Sequence, residues 1–421
     1  KINIARWLGF GGGIAILSGH ATGTAEMTEH VENTGPLKGI RVFDMSRILA
    51  GPSATQILGD MGAEILKIEK PGQGDDTRKW GPPFVKDAAG ADTTESSYYL
   101  SANRNKKSLS LDFTTPEGLA IAKRLIGTCD ILFENYKAGS LDKYGLGYEQ
   151  LKAEFPKLIY CSLTGFGHDG PYKDLAGYDF LIQGMGGIMS LTGPADGMSH
   201  KIGVAYCDLL TGLYALNGIL AALYHREKTG QGQFIDIALL DSQVATLSNA
   251  GQYYLTSGKV TPRMGNAHPT IVPYEAFRAK DGDIILAVGN DKQFTEFCAF
   301  AGRSDLAADV KFATNANRVR NRAEIVPAVA QIIAQQTQKH WIENLEKRGV
   351  PCGPVNTLDK VFNDPQVQAR GMVTEMAHDA APDPVKLIAS PLRFSATPVS
   401  YRHAPPMLGA NTDEILSTEL D

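Results

Sequence analysis

The sequence predicts an α/β protein, with a large domain on a parallel sheet and a smaller α+β unit after it. Two patterns carry that prediction. From Leu37 to Leu240, short strand-like runs alternate with amphipathic helix-length segments, the order of a sheet covered by helices on both faces. Beyond a proline-rich irregular stretch, Thr261–Pro273, a hairpin pattern is followed by helical patterns alone.

In order, Ile40–Asp44 reads as a strand, Gly51–Met61 as a helix, and Glu64–Glu69 as a strand stopped by Pro71. Gly72–Thr94, full of Gly, Asp and Pro, reads as a loop. Ser108–Asp112 is the next strand, and Thr115 opens a helix through Ile126 with Pro116 at its first position. Ile131–Glu134, Leu158–Leu163 and Gln233–Leu239 read as strands, Tyr148–Phe155 as a helix, and a further helix opens at Asp241. The longest helical pattern starts at Cys207-Asp208. It places Leu209, Leu213, Leu216, Leu220 and Leu223 at three- and four-residue steps and ends on His225, Arg226, Lys228 and Gly230. Tyr274–Ala279 and Ile284–Val288 flank Asp281-Gly282 as a hairpin. Helices follow near Asp291–Ala301, Ala323–Gln336, His340–Arg348 and Val361, and then a mostly extended tail. The division expected is a large domain over 37–240, a linker over 241–273, a small domain over 274–360, and a segment over 361–421 that returns to the large domain. Residues 1–36 stand apart as a leader or upstream extension. Lys1, Arg6 and the apolar run Trp7–Leu17 look like a weak targeting segment, too short to span a bilayer, and Met27 reads as the natural start.

With 421 residues, 43% hydrophobic and 21% charged, the composition is that of an ordinary globular chain. A net charge of -5 gives no general attraction to nucleic acid or to an anionic membrane, yet leaves room for a local basic site. The five cysteines are scattered with no Cys-x-x-Cys, so neither a disulfide framework nor a zinc site is supported. No metal-ligand spacing, phosphate-binding glycine loop after a strand, or Gly-x-Ser-x-Gly is found. Gly184–Gly187 follows no strand and reads as close packing.

Parallel sheets bind ligands at the C-terminal ends of their strands. Three such ends are polar: Asp44-Met45-Ser46-Arg47, Glu69-Lys70 and Glu134-Asn135-Tyr136-Lys137. Arg47, Lys70, Arg78, Arg104, Lys106, Lys107, Lys137 and Lys143 occupy loop positions. Singly each is a solvated surface residue; gathered at one edge they suit a phosphorylated ligand. Tyr136 and Tyr144 are adenine-stacking candidates or ordinary rim aromatics. Asp208 has two readings, a helix N-cap or a carboxylate nucleophile kept ionised by the helix N-terminus. Cys207 beside it is core packing or a reactive thiol. Local pattern leaves both pairs open.

Taken in order, several phrases resemble the class III CoA-transferase family, which includes formyl-CoA transferases, carnitine CoA-transferases and α-methylacyl-CoA racemases. They are Leu37–Val42, Ala50-Gly51-Pro52, Gly59–Glu64, Lys67-Ile68-Glu69, Asn103–Lys106, Glu134-Asn135-Tyr136, Gly177-Tyr178-Asp179, Cys207-Asp208 and Lys228–Gly232. Within the family, Gly72–Phe84, Asn103–Ser108 and Ile271–Tyr274 look most similar to the succinyl-CoA:glutarate CoA-transferases. The resemblance implies a Rossmann-like large domain and an interlocked homodimer in which each chain threads a ring formed by the other. It implies transfer of CoA from an acyl-CoA donor such as succinyl-CoA to a short dicarboxylic acid such as glutarate. The acyl group would pass through an aspartyl anhydride and an aspartyl-CoA thioester.

The resemblance places the nucleophile at Asp208. It assigns CoA contacts to Arg47, Leu49, Ala50, Lys70, Asn135, Tyr136, Lys137, Lys143, Ala176, Gly177, Tyr178 and Asp179. Arg47, Arg104 and His268 are candidates for the distal carboxylate. Arg47 replaces a histidine of the formyl-CoA transferases, Thr114 and Ala176 replace lysines, and Asp179 replaces a glutamate. The glycine run that covers their acyl site is missing near Gly265–His268. CoA thioester enters as substrate, with no permanently bound cofactor or metal, no nucleic acid partner and no membrane partner. The expected location is cytoplasmic, or the mitochondrial matrix for a eukaryotic source. The alternatives are a racemase, which would need a histidine where Tyr178 stands, and a non-catalytic CoA-binding protein.

Overall fold

The structure, a computed structural model, describes residues 32–420. Most of the expected leader or extension therefore lies outside the described residues. The first part of the chain runs β1 (Arg41–Asp44), α1 (Ala50–Asp60), β2 (Glu64–Glu69), β3 (Phe84–Lys86), β4 (Asp92–Ser96), α2 (Ser97–Leu100), β5 (Lys106–Ser110), α3 (Pro116–Ile126) and β6 (Ile131–Glu134). It continues with α4 (Tyr148–Glu154), β7 (Ile159–Thr164), α5 (Asp179–Met185), α6 (Ile188–Leu191), α7 (Tyr206–Thr229), β8 (Phe234–Ala238), α8 (Leu239–Ala245) and α9 (Ser248–Ser257).

Six strands form one parallel sheet in the order β5-β2-β1-β6-β7-β8. From β1 the chain winds out to β5 on one side and to β8 on the other. The crevice where a ligand is expected thus lies at the C-terminal ends of β1 and β6. Strand residues alternate between two cores, as the two-residue period requires. Val42, Ile65, Ile131, Phe133, Ile159 and Cys161 pack with Ala54 and Leu58 of α1 and Ala215, Ile219 and Ala222 of α7. Phe43, Leu66, Leu109, Leu132 and Tyr160 pack with Ile121 and Leu125 of α3 and Leu151 of α4.

Thr115 caps α3 as read, accepting the Gly118 N–H at 3.1 Å, with Pro116 first in the helix. Gly230 ends α7 at φ 73°. Helices α1 and α7 cross in close contact at Gly212, where a Cβ would stand 2.5 Å from the Ala50 carbonyl oxygen. Among the described residues α7 alone is long and apolar enough to cross a bilayer; here 39% of its apolar window is buried in the protein.

A third core, around Phe277, Ile284, Phe294, Ile325 and Trp341, lies in the following α+β unit. That unit holds β9 (Tyr274–Arg278), β10 (Asp283–Ala287), α10 (Asp291–Phe300), α11 (Ser304–Ala308), α12 (Asn315–Arg320), α13 (Arg322–Ile333), α14 (Gln338–Glu346) and β11 (Cys352–Pro354). Its antiparallel order is β11-β10-β9. Then come α15 (Leu358–Phe362), α16 (Pro365–Ala369), the hairpin β12 (Val373–Met376) and β13 (Val385–Ile388), and α17 (Thr412–Leu420). Helix α17 returns to the sheet, with Ile415 and Leu416 in the core beside α3.

Several elements differ from the sequence expectation. Strand β5 begins at Lys106, two residues before the apolar signal, because that lysine is buried and paired with Asp44. The Gly72–Thr94 loop contains a turn of 3-10 helix at Asp76–Lys79 and part of the β3–β4 hairpin. Helices α5 and α6, for which no element was read, flank Gly186 and Gly187. At Gly186 the close-packing reading is right, since a Cβ would lie 2.2 Å from the Gln243 side chain.

Gly212→Ala should force α1 and α7 apart and lower unfolding stability by about 1–3 kcal/mol, measured by denaturant titration. An unchanged midpoint would mean that the two helices separate freely.

Candidate active site

Two clefts of about 300 Å³ each meet at the C-terminal edge of the sheet and share Arg47 and Tyr136. The first is lined by Lys70, Lys143, Phe113, Tyr136, Tyr144 and Ser140. Phe113 meets Tyr136 and Tyr144 edge-on at 6.0 and 5.6 Å, giving an aromatic pocket between two lysines. The second is lined by Leu49, Ala50, Asn135, Lys137, Lys173, Ala176, Gly177, Tyr178, Asp179 and Asp208. A larger cleft of about 820 Å³ lies elsewhere, among Arg41, Lys107, Arg402 and Glu414, and does not include Asp208.

The loop joining β1 to α1 forms the seam between the two clefts. The Asn135 amide brackets Arg47, accepting its N–H at 2.9 Å and donating to its carbonyl at 2.7 Å. Asn135 therefore spends its side chain on the loop, not on a base or phosphate. Ile48 is held at φ 72°, an uncommon conformation for a β-branched residue, with its N–H 3.3 Å from the Asp75 carboxylate. Glu134 accepts the Tyr136 N–H at 2.7 Å and so fixes the opposite wall. The Arg47 guanidinium lies 5.0 Å from the Tyr136 ring centre and 3.1 Å from Asp76.

Asp208 is the third residue of α7, and its carboxylate is not the cap. Asp179, at the start of α5, does the capping: its Oδ1 accepts Cys207 N–H at 2.8 Å and Asp208 N–H at 3.4 Å. Gly165 and Gly177 stand back to back and bring that segment in; a Cβ on Gly177 would lie 2.4 Å from Gly165 Cα. The Asp208 carboxylate has no hydrogen bond among the described residues and is 9% exposed. Burial, and then the Asp179 charge, push its pKa up to about 7. Burial thus works against the ionisation expected of it at the helix N-terminus. Cys207 is packing: its thiol lies 3.0 Å from Gln243 Oε1, and burial raises it to about 12.

Other expected residues lie elsewhere. Arg104 binds Asp60 through two nitrogens at 2.8 and 2.6 Å and donates to the Ile388 carbonyl, so it is structural and reaches neither cleft. Arg78 pairs with Glu69 and Glu95 in the interior, and Lys106 with Asp44. His268 lines neither cleft of this chain; Arg322 holds its carbonyl at 2.6 Å, and its ring packs on Tyr274. Thr114, by contrast, lines the first cleft, where its hydroxyl donates to Asp112 at 2.6 Å.

Four residues were missed by sequence reasoning. Lys173 lines the acyl-side cleft. Tyr98, packed edge-on against Trp80, has a phenol pushed up to about 12 by burial and then by Asp208 and Asp179. Gln183 lies one turn after Asp179, visible only once α5 is known to be a helix. Asp75 sits in a run read as loop.

A family model described as CoA-transferase family III matches residues 37–412. The chain belongs to CoA-transferase family III. It is 46% identical over 392 residues to the succinate–glutarate CoA-transferase of Agrobacterium fabrum, covering 93% of this chain and 97% of that one. It is 43% identical over 408 residues to the succinyl-CoA:glutarate CoA-transferase of Mus musculus, covering 97% and 92%. The crystal structure of a CAIB/BAIF family protein from Brucella suis superposes with a TM-score of 0.83 at 47% identity, over 92% of this chain and all of that one. This chain is accordingly a CoA-transferase, with CoA thioester as its substrate.

If Asp208 must be an anion to react, kcat/KM should rise with pH through about 7. The same shift fixes a stability trend. The folded pKa exceeds the unfolded value, so stability is fullest below the unfolded pKa and falls until pH passes about 7. Asp208→Asn should therefore gain stability relative to the natural chain as pH rises from about 5 to about 8. Thermal unfolding at both pH values checks this, and a constant difference would refute it.

Proposed function

We propose that this protein moves CoA from succinyl-CoA to a short dicarboxylic acid, glutarate or a close relative, with Asp208 as covalent nucleophile. The observation that carries this reading is the Asp208 carboxylate, buried without a hydrogen-bond donor in a cleft continuous with an aromatic, lysine-flanked pocket. The aromatic pocket suits the adenine and phosphates of CoA through Tyr136, Tyr144, Lys70 and Lys143. Leu49 and Ala50 lie at the open N-terminus of α1, and Ala176–Asp179 line the other wall of the thioester end. The donor and acceptor follow from relatives named for succinate and glutarate.

In the proposed sequence an Asp208 oxygen attacks the thioester carbonyl, the C–S bond breaks, and CoA leaves as thiolate. The thiolate then attacks Cγ of the mixed anhydride, releasing succinate and leaving an aspartyl-CoA thioester. The acceptor carboxylate attacks that carbonyl, expels the thiolate and forms a second anhydride. The thiolate finally takes the acceptor acyl group and frees Asp208. No net proton is exchanged. The nucleotide pocket keeps the thiolate close between steps. Arg47, shared by both clefts, is the group best placed for a distal carboxylate. No histidine lines the Asp208 cleft, which argues against racemisation.

An exposed apolar face also needs a partner. It includes Phe180, Leu181 and Met185 of α5, Leu209 and Leu213 of α7, and Tyr253 to Leu255 of α9. It supports the interlocked homodimer, for which light scattering of dilute native protein should show dimer and no folded monomer.

A panel of acids assayed with succinyl-CoA should show transfer to short dicarboxylates and far less to monocarboxylates. Equal rates would remove the dicarboxylate assignment. Asp208→Asn should abolish transfer while still binding CoA. Hydroxylamine quenching of the natural chain with succinyl-CoA should modify the Asp208 peptide, read by mass. Normal turnover in Asp208→Asn would end this mechanism, and CoA binding without any acid release from succinyl-CoA would favour a binding protein.

A further inference from the structure

Gln183 is fully buried, one helical turn after Asp179 on α5, and outside every expected contact with CoA or acid. Its amide orientation is fixed by its surroundings. Oε1 accepts the Ile202 N–H at 2.8 Å, which only the oxygen can do. Nε2 must then face the Asp179 Oδ2, 2.8 Å away, with a longer contact of 3.5 Å to the Val204 carbonyl. Asp179 consequently accepts three donors: the Gln183 amide, the Cys207 N–H and the Asp208 N–H. Asp208, its neighbour, accepts none among the described residues. One carboxylate is saturated with donors and the other is bare.

We infer that Gln183 is a positioning residue for the transfer reaction. By donating to Asp179 it holds that carboxylate in hydrogen bonds at the start of α7, and the neighbouring Asp208 is left free to react. Three donors hold the Asp179 carboxylate in place, and its charge beside Asp208 makes the bare carboxylate more basic. The same amide ties the 202–204 approach to α5, so the N-terminus of α7 and its third residue are held in one place. The other charged or titratable groups near Asp208 are Tyr98 at α2, Cys207 on α7, and Arg47, Lys137 and Lys173 around the cleft. None of them is a hydrogen-bond donor to Asp208 among the described residues.

The inference rests on Asp208 as nucleophile, and the test separates the two. It compares pH profiles of kcat/KM for CoA transfer by the full chain. Gln183→Leu removes the donor and frees the Asp179 carboxylate to swing away from Asp208, which weakens the repulsion between them. The acid limb should move to lower pH by about one unit, and the plateau should fall about tenfold. A protonated glutamate offers the same donor and acceptor as glutamine. Gln183→Glu should therefore work on the acid side and lose activity above neutrality, giving a bell where the natural chain has a plateau. A role in packing alone would lower the plateau and move neither limb, which would overturn the inference, as would natural activity in Gln183→Leu. Should Gln183→Leu fail to fold, the Gln183→Glu profile decides by itself. Asp208→Asn is run alongside. Turnover in that variant overturns the nucleophile and this role together, whereas an inactive Asp208→Asn with unmoved Gln183 profiles overturns this role alone.

Discussion

The site depends on one buried carboxylate, Asp75, beneath the loop between β1 and α1. It takes Lys67 Nζ at 2.8 Å, the Thr77 hydroxyl at 2.7 Å and the Thr77 N–H at 3.0 Å, and faces the Ile48 N–H. Burial alone would raise its pKa, but the Lys67 charge and these hydrogen bonds hold it down at about 2. Lys67 in turn donates to the Ser46 carbonyl, so both sides of Arg47 are tied to one ion pair. Burying such a pair contributes little net stability, yet losing one member costs about 3–5 kcal/mol. Its use here is geometric: it keeps Ile48 at positive φ and directs Arg47 into the seam between the clefts.

The same economy recurs around the reacting group. At the start of α7 the Cys207 and Asp208 N–H groups are claimed by Asp179 and the Tyr206 N–H by the Val204 carbonyl. Desolvation that would be a defect in a structural carboxylate is what a nucleophile requires. The two clefts then divide one long ligand. Aromatic and lysine contacts hold the end that does not react, while small residues, Ala50, Ala176 and Gly177, leave space at the end that does.

Much of the fold was legible because the sheet is conventional. The alternation of Val42, Phe43, Ile65 and Leu66 between two cores leaves a plain hydrophobic record. The strand-end phrases at Asp44, Glu69 and Glu134 were likewise visible as polar breaks in apolar runs. What could not be read was charge turned inward. Arg78, Arg104 and Lys106 look like surface cations in a sequence, and each is buried against a carboxylate, 9, 44 and 62 residues away for Glu69, Asp60 and Asp44. Asp208 and Asp179 could be located, but not their division of labour, because capping across 29 residues leaves no local signature. Gln183 has the same difficulty: nothing in its neighbourhood distinguishes a fully engaged amide from an ordinary helical glutamine.

Helix α17 carries a consequence for how the protein is made. Ile415 and Leu416 complete the core beside α3, and Asn411 and Thr412 accept the N–H groups of Ser108 and Ser110 on the outermost strand. These contacts span about three hundred residues. During synthesis the sheet's edge at β5 stays uncovered until that late segment emerges, long after the strand itself has been made. For most of translation the chain therefore carries β5 with that edge unpaired and the core beside α3 incomplete.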